Sequence, residues 1–353
     1  MNLFDNRAVN RRTEVFSTTP VVVGCWQLAG GHGALSESEV AHHLHRSLEL
    51  GLTAFDCADI YTGVEELLGR FIGDLRREGS SMLSNLRIHT KFVPDLDSLA
   101  TIEKKDVEAI VDRSLRRLGV ETLDLVQYHW WDLSVPRYVE VASYLNELRI
   151  AGKIRHLGLT NFATSEVREF VGAGIPIVSN QVQYSVLDRR PERELAPFCE
   201  AHGIKLLCYG ATAGGFLAAR YLDAPEPKEP FENRSLLKYR LIIEECGGWG
   251  SYQRLLRGLN EIAHAEGMEL AELAQSFVLT RPAVGAVIVG TRSARHLESN
   301  HRLLSERCSR AATERIEGLL AELFPVPGEV YALERDRTGR HGSIMRYNLS
   351  RGS

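Results

Sequence analysis

Four polar residues stand where apolar runs end, and their types fit proton transfer. Asp56 and Tyr61 lie in the stretch FDCADIY, Lys91 ends RIHTK and His129 ends LVQYH. A free tyrosine, with a pKa of about 10, is a weak acid, but a nearby ammonium stabilises the phenolate and lowers that pKa. A carboxylate beside the lysine keeps the lysine charged, and a histidine can donate a hydrogen bond to a carbonyl oxygen. These residue types therefore predict general acid catalysis on a carbonyl, with a cofactor supplying the hydride.

Each of these residues also has a purely structural interpretation. Asp56 could be a turn residue and Tyr61 an aromatic residue at the rim. Lys91 could be a solvated strand end and His129 a buried core histidine. Their coincidence at successive strand ends favours the catalytic interpretation over four separate structural ones. The other acid of the first stretch, Asp59, is interpreted as a loop residue without a catalytic role.

The elements that must position these residues alternate between short β-branched runs and amphipathic helical patterns. Strand–helix alternation implies a parallel sheet, and eight units in about 300 residues imply a closed (β/α)₈ TIM barrel, an α/β fold. An open doubly wound sheet is the alternative, but no GxGxxG follows the first strand. In such barrels the active site lies at the carboxyl ends of the strands. The predicted strands are 21–26, 53–56, 86–92, 123–129, 154–160, 177–182, 205–210 and 286–290.

The chain is predicted to form one domain over 1–353, with the barrel at about 17–324. A long loop rich in Pro and Gly is expected at 213–250, after the seventh strand. The tail, 325–353, is expected to form an ordered arm that lies over the barrel or touches a partner subunit. A frayed terminus is the alternative for this tail.

Composition excludes several classes of function. The chain has 353 residues, 44% of them apolar and 25% charged, and its formal charge of −4 gives no attraction to nucleic acid or to an anionic membrane. No stretch is long and apolar enough to cross a membrane, and the N-terminus lacks a secretory signal pattern. The six scattered cysteines predict reduced, buried thiols in a cytoplasmic protein. The cluster of His42, His43 and His45 is interpreted as helix surface, so no metal site is predicted.

Six motifs in a fixed order give the chain its resemblance to a known family. They are FDCADIYTGVEELLGRF, HTKF, DLVQYHWW, GLTNF, SNQVQYS and VGTRSARHLESN, between about residues 20 and 300. Because these motifs occur in the order and spacing typical of the aldo-keto reductases, the chain resembles that family. The resemblance implies NAD(P)H-dependent hydride transfer between an aldehyde or ketone and an alcohol. It also implies that Tyr61 is the acid or base, that Lys91 paired with Asp56 tunes it, and that His129 positions the carbonyl.

The same resemblance assigns the cofactor contacts. Thr160, Asn161 and Gln181 correspond to residues that hold the nicotinamide carboxamide, and Tyr209 to an aromatic that stacks on the ring. A phosphate loop after the seventh strand and the beginning of a helix after the eighth strand complete the set. In this assignment Arg292 binds an adenosine 2′-phosphate, which implies NADPH. These further residues are Gly210, Ala211, Gly214, Gly290, Thr291, Arg292, Ser293 and Asn300, the last near the adenine.

Three positions depart from the family pattern. Thr62 separates Tyr61 from the glycine that follows it, Thr160 replaces a serine, and His296 stands where many NADPH-dependent members carry an arginine. Because of His296, the use of NADH (NAD) remains open.

Tryptophans are the candidates for the substrate pocket. Trp26 at the end of the first strand and Trp130–Trp131 after His129 are expected at the pocket mouth, with outward packing as the alternative for Trp131. The expected partner is a small carbonyl or alcohol substrate, whose identity the sequence does not give. Two alternatives are a dehydrogenase of a sugar or pyridoxine-like alcohol and a nicotinamide-sensing regulatory subunit. No oligomeric state is predicted.

Overall fold

The fold is a closed barrel of parallel strands in sequence order, with the first strand paired to the eighth. The computed structural model describes residues 16–29, 36–228, 231, 234–290 and 294–349, and the statements that follow concern those residues. The predicted TIM barrel is confirmed, with strand ends shifted by a few residues. The strands are Val21–Gly24 (β1), Ala54–Asp56 (β2), Arg87–Phe92 (β3), Leu123–Tyr128 (β4), Ile154–Thr160 (β5), Ile177–Gln183 (β6), Lys205–Tyr209 (β7) and Val284–Val289 (β8).

Helices follow the strands and cover the outside of the barrel. Local signals fix several of their ends: the Ser36 hydroxyl caps the first helix at the Glu39 amide (3.3 Å), and Gly119 ends the third at φ 64°. The helices of the described chain are Glu37–Glu49 (α1), Val64–Arg77 (α2), Lys104–Leu118 (α3), Tyr138–Ile150 (α4), Thr164–Gly172 (α5), Leu195–Ala201 (α6), Arg234–Glu245 (α7), Gly248–Glu266 (α8), Leu270–Leu279 (α9), Ala294–Arg302 (α10), Arg310–Leu320 (α11) and Ala332–Arg335 (α12).

Alternation along each strand separates two packed regions. Side chains such as Leu125 belong to a small apolar cluster inside the barrel, whereas Val126 and Tyr128 belong to the large core between strands and helices. Gln127 shares the inward direction of Leu125, and its buried amide lies among other polar groups near the carboxyl end of the barrel. The alternation of the strand therefore points Gln127 into the barrel, close to its carboxyl end.

The predicted loop at 213–250 is wrong in part, because it contains α7 and the start of α8. The Pro residues that led to this prediction all precede residue 234, and the Gly residues lie on both sides of α7, so together they obscure the helical period of the residues between them. Tyr239 of α7 packs on the turn after β7. A Cβ on Gly210 or Gly214 would lie within 2.5 Å of this tyrosine, so the close approach of α7 requires glycine at both positions.

Residues 326–349 pack on the barrel. The Tyr347 carbonyl accepts a hydrogen bond from the Leu96 amide at 3.1 Å, and the Glu334 carboxylate lies 3.0 Å from the Arg190 guanidinium. We call residues 326–349 the C-terminal arm. It lies over the carboxyl ends of the strands, where the candidate residues meet.

Two further observations bear on the sequence-based expectations. All six cysteines lie among the described residues, are buried and are not joined in disulfides. In the part of the chain that the structure describes, no helix combines the length and the apolar composition that crossing a membrane would take.

Candidate active site

A buried ion pair links the ends of β2 and β3. The Lys91 ammonium lies 2.6 Å from Asp56 Oδ2 and also donates to the Cys57 carbonyl at 2.8 Å. Both side chains are buried. Burial alone would lower the pKa of Lys91. The charges of Asp56 and Tyr61 more than offset this effect, so the pKa of Lys91 is raised above its ordinary value. The lysine is therefore charged and held in one place.

The second oxygen of Asp56 is held by two amides. Asp56 Oδ1 accepts hydrogen bonds from Gln127 Nε2 (2.9 Å) and Gln181 Nε2 (2.6 Å). Gln181 was assigned to a cofactor carboxamide, whereas here its amide nitrogen orients Asp56. Sequence reasoning missed Gln127. Its signal was a polar residue at an inward position, two before His129.

Tyr61 lies in the turn before α2, beside the ion pair. The Lys91 ammonium is 5.0 Å from the centroid of its ring, and the Trp26 ring packs against it at 4.8 Å. Burial raises the pKa of Tyr61 to about 12, and Lys91 opposes that rise without cancelling it. The expected net lowering of the Tyr61 pKa is therefore not found. The phenol is protonated at neutral pH and can act as a proton donor.

His129, beyond the end of β4, is neutral and held in one orientation. Its Nδ1 lies 3.1 Å from the Thr160 carbonyl oxygen, which only accepts, so Nδ1 carries the proton. Burial, and then the charge of Arg335, lower the pKa of His129 to about 3. Nε2 is buried without a hydrogen-bond partner among the described residues. In this tautomer Nε2 carries a lone pair and accepts hydrogen bonds. It could donate to a substrate carbonyl, as predicted, only if the proton moved from Nδ1 to Nε2.

The ends of β5, β6 and β7 bring together the residues assigned to the nicotinamide. Tyr209 Oη donates to Asn161 Oδ1 at 2.9 Å, and Thr160 Oγ1 donates to the Gln181 carbonyl at 3.2 Å. Asn161 has a left-handed backbone (φ 64°), which asparagine tolerates better than most residues. Amides and hydroxyls thus line one edge of the barrel, and they fit a group that both donates and accepts hydrogen bonds.

The residues assigned to the phosphates and adenine are described in part. Gly210 and Gly214 have φ 76° and 65°, and the neighbouring Ala211 is buried. Gly290 directly follows β8, and its α-carbon approaches Gln27 so closely that a Cβ would lie 2.8 Å from that side chain. Asn300 in α10 is buried, with Nδ2 lacking a partner in the described chain, so it offers a free donor. Thr291, Arg292 and Ser293 lie outside the described residues.

The structure contradicts the assignment of Trp130 to the pocket mouth. Its ring is fully buried in the core beside Tyr128, and its Nε1–H donates to the Val135 carbonyl at 3.0 Å. The alternation of β4 continues past the strand end, so the following residue faces the site instead. Trp131 packs edge-on against His129 at a ring distance of 4.3 Å. Trp26 is 46% exposed, and its ring packs against that of Tyr61.

The C-terminal arm adds residues that sequence reasoning did not find. The Tyr331 ring lies 5.6 Å from that of His129, and Tyr347 packs on Trp131 at 5.2 Å. Arg335 donates to the carbonyls of Asn161 (2.7 Å) and Trp131 (3.2 Å). These contacts join residues far apart in the chain, and no local pattern marks them.

Comparison with known proteins agrees with this geometry. A family model described as "Aldo/keto reductase family" matches residues 20–321. The chain is 26% identical over 306 residues to the aldo-keto reductase yakc [NADP(+)] of Schizosaccharomyces pombe, covering 85% of this chain and 88% of that protein. It is 27% identical over 295 residues to the L-glyceraldehyde 3-phosphate reductase of Escherichia coli (strain K12), covering 80% and 83%.

A solved structure extends the likeness to three dimensions. The holo form of an aldo-keto reductase from Bacillus halodurans superposes with a TM-score of 0.67 at 25% identity, covering 90% of this chain and 96% of that one. The family match spans all eight strands and every described candidate residue except Tyr331, Arg335 and their neighbours in the arm. The chain therefore belongs to the aldo/keto reductase family and is an oxidoreductase.

Proposed function

We propose that the protein reduces an aldehyde or ketone to the alcohol with NADPH, using Tyr61 as the proton donor. The observation that carries this proposal is the buried Asp56–Lys91 pair beside a protonated Tyr61. Such a centre fits the protonation of an oxygen that becomes negative as hydride arrives at the neighbouring carbon.

The described residues fit a nicotinamide cofactor. Asn161, Thr160 and Tyr209 gather amide and hydroxyl groups at one edge, and Asn300 Nδ2 is a buried donor that lacks a protein partner. The Schizosaccharomyces pombe relative carries NADP(+) in its name, which favours the same cofactor here. We assign the 2′-phosphate to Arg292 on its position in the sequence, and His296 keeps NADH as the alternative cofactor.

The chain's own residues then handle the proton. NADPH held by these residues would supply the hydride that the carbonyl carbon receives. Tyr61 gives its phenolic proton to the carbonyl oxygen, and the Lys91 ammonium stabilises the phenolate that remains. Asp56, fixed by two amide donors, keeps that ammonium in place. Solvent then returns a proton to Tyr61. His129 borders the carbonyl position, and its Nε2 accepts from a substrate hydroxyl when the ring is neutral.

The acid form of Tyr61 suits the reductive direction. Oxidation of an alcohol needs the phenolate as a base, and a pKa of about 12 leaves little phenolate at neutral pH. This favours a reductase over the alternative dehydrogenase of a sugar or pyridoxine-like alcohol. The proposed partner is a small carbonyl compound.

The experiment is the oxidation of NADPH by a panel of small aldehydes with the wild type, Tyr61→Phe and Tyr144→Phe. Tyr144 of α4 is partly buried, and its hydroxyl donates an exposed hydrogen bond to Glu140 away from the candidate site, so it serves as the control. We expect Tyr61→Phe to lower kcat about 10²- to 10⁴-fold and to leave the NADPH Kd nearly unchanged. Turnover by Tyr61→Phe close to that of the wild type would refute the assignment. Tight NADPH binding without turnover in the wild type would favour the sensor alternative.

A further inference from the structure

Lys238 places an ammonium among three tyrosine rings at the barrel mouth. Its Nζ lies 4.7 Å from the centroid of Tyr209, 5.8 Å from Tyr239 and 6.0 Å from Tyr331. Among the described residues it donates one hydrogen bond, to Tyr209 Oη, at 3.3 Å. An ammonium has three N–H donors, so this bond leaves donors for another group.

The charge of Lys238 has no carboxylate of its own among the residues that the structure describes. The carboxylates that act electrostatically on Lys238 are those of Glu334 and Asp188. Both are bound to the Arg190 guanidinium, Glu334 at 3.0 Å and Asp188 at 2.7 Å. Burial lowers the pKa of Lys238. A cation taken out of water is costly unless it is paired, and cation–π contacts with tyrosine return only part of that cost.

The position of this ammonium connects the two halves of the site. Tyr209 ends β7 and bonds to Asn161 on the proposed nicotinamide side. Tyr331 packs on His129 on the proposed carbonyl side. The neighbouring Tyr239 covers Gly210 and Gly214, so α7 also borders the proposed phosphate loop. A ligand that fills the mouth therefore passes close to Lys238.

We propose that Lys238 binds a phosphate or carboxylate group of a ligand in the barrel mouth, an inference that rests on the proposed function. An anion would supply the missing counter-charge and accept the unused N–H donors in a partly desolvated site, where charge-assisted hydrogen bonds are strong. Two sources carry such a group. One is the pyrophosphate of the cofactor, and the other is a substrate in which an anionic group is joined to the reacting carbonyl.

The test compares the wild type with Lys238→Gln, Lys238→Arg and a control, Lys228→Gln, which removes an exposed lysine of the same loop region. One arm measures the NADPH Kd by fluorescence titration. The other measures kcat/KM for two pairs of aldehydes, glyceraldehyde with glyceraldehyde 3-phosphate, and butanal with 4-oxobutanoate. Each pair differs by one anionic group.

A substrate anion is indicated if Lys238→Gln lowers kcat/KM about 10- to 100-fold for the charged aldehydes only. A cofactor anion is indicated if the same variant raises the NADPH Kd by a similar factor, with both members of each pair affected alike. In both cases we expect partial rescue by Lys238→Arg and no effect of Lys228→Gln. Unchanged values in both arms would overturn the inference. Absence of turnover in the wild type would refute the reductase proposal instead, and the NADPH arm would still decide whether Lys238 binds an anion of the cofactor.

Discussion

At the residue scale, the state of Tyr61 is set by two opposing effects. Burial disfavours the phenolate, and the Lys91 ammonium favours it, but less strongly. The lysine is itself fixed by Asp56, whose other oxygen is occupied by two amides. These hydrogen bonds hold Lys91 and Asp56 in fixed positions beside Tyr61, and the raised pKa keeps Tyr61 in its acid form.

This state predicts the pH dependence of both reaction directions. The acid form of Tyr61 is complete below its pKa of about 12. We expect kcat/KM for carbonyl reduction to stay flat from pH 6 to 9, as far as Tyr61 controls it, and to fall only in strongly alkaline solution. Oxidation of the corresponding alcohol should rise roughly tenfold per pH unit over the same range, because it needs the phenolate. Stopped-flow assays of both directions measure this. A fall in reduction centred near pH 7 would contradict it.

At the scale of elements, one buried arginine fastens the C-terminal arm to the barrel. Arg190, just after β6, binds Asp188 of its own segment and Glu334 of α12, and all three side chains are buried. Burial alone would raise the pKa of Glu334, but the Arg190 guanidinium lowers it to about 2. The folded pKa lies below the unfolded value, so this contact stabilises the fold above about pH 4.5 and is lost as pH falls toward 2.

Glu334→Gln should therefore loosen the arm. Removing one partner of a buried ion pair leaves charge uncompensated, and we expect a loss of about 3 kcal/mol in the free energy of unfolding at pH 7, reduced to the extent that Asp188 still pairs Arg190. Urea unfolding at pH 7 and pH 3 measures it. The difference between variant and wild type should shrink at pH 3.

In Glu334→Gln, amide hydrogen exchange should become faster than in the wild type in the C-terminal arm, and it should change less in the barrel strands. Glu322→Gln, an exposed acid near the end of α11, is the control and should behave as the wild type does. An unchanged arm, or an equal loss at both pH values, would show that Glu334 does not fasten it.

At the scale of the whole molecule, two segments remote in sequence meet over the mouth of the barrel. α7 brings Lys238 to Tyr209, and the arm brings Tyr331 to His129. Both contacts lie at the carboxyl ends of the strands, and the proposed cofactor would join strands from opposite sides of the same mouth. Ligand binding is therefore expected to stabilise the entire domain.

Thermal unfolding with cofactor tests this expectation. NADPH at about 100 times its Kd should stabilise the native protein by about 2.7 kcal/mol, and NADH at the same concentration should stabilise it less. Arg292→Ala should reduce the shift with NADPH toward that with NADH, because the 2′-phosphate loses its partner. Calorimetric melting temperatures measure both. Equal losses for the two cofactors would remove the assigned role of Arg292, and no shift with either would remove the cofactor proposal.

The sequence by itself determined the barrel and the position of the four central residues. Strand and helix periods, caps and turns are local signals, and Asp56, Lys91 and His129 needed only their places at strand ends to be found. Even Gln127 carried a readable signal, because the alternation that points His129 inward points Gln127 the same way. The family motifs added roles for residues such as Asn161 and Tyr209.

Only the tertiary structure decided what surrounds those residues. Burial, which keeps Tyr61 protonated and His129 neutral, depends on everything packed against them, including an arm about 200 residues further along the chain from His129. The orientation of Trp131 toward the site, and the approach of α7 to Gly210, likewise follow from long-range packing. Such contacts leave no period or spacing in the sequence, because they join surfaces that meet only after the barrel has closed.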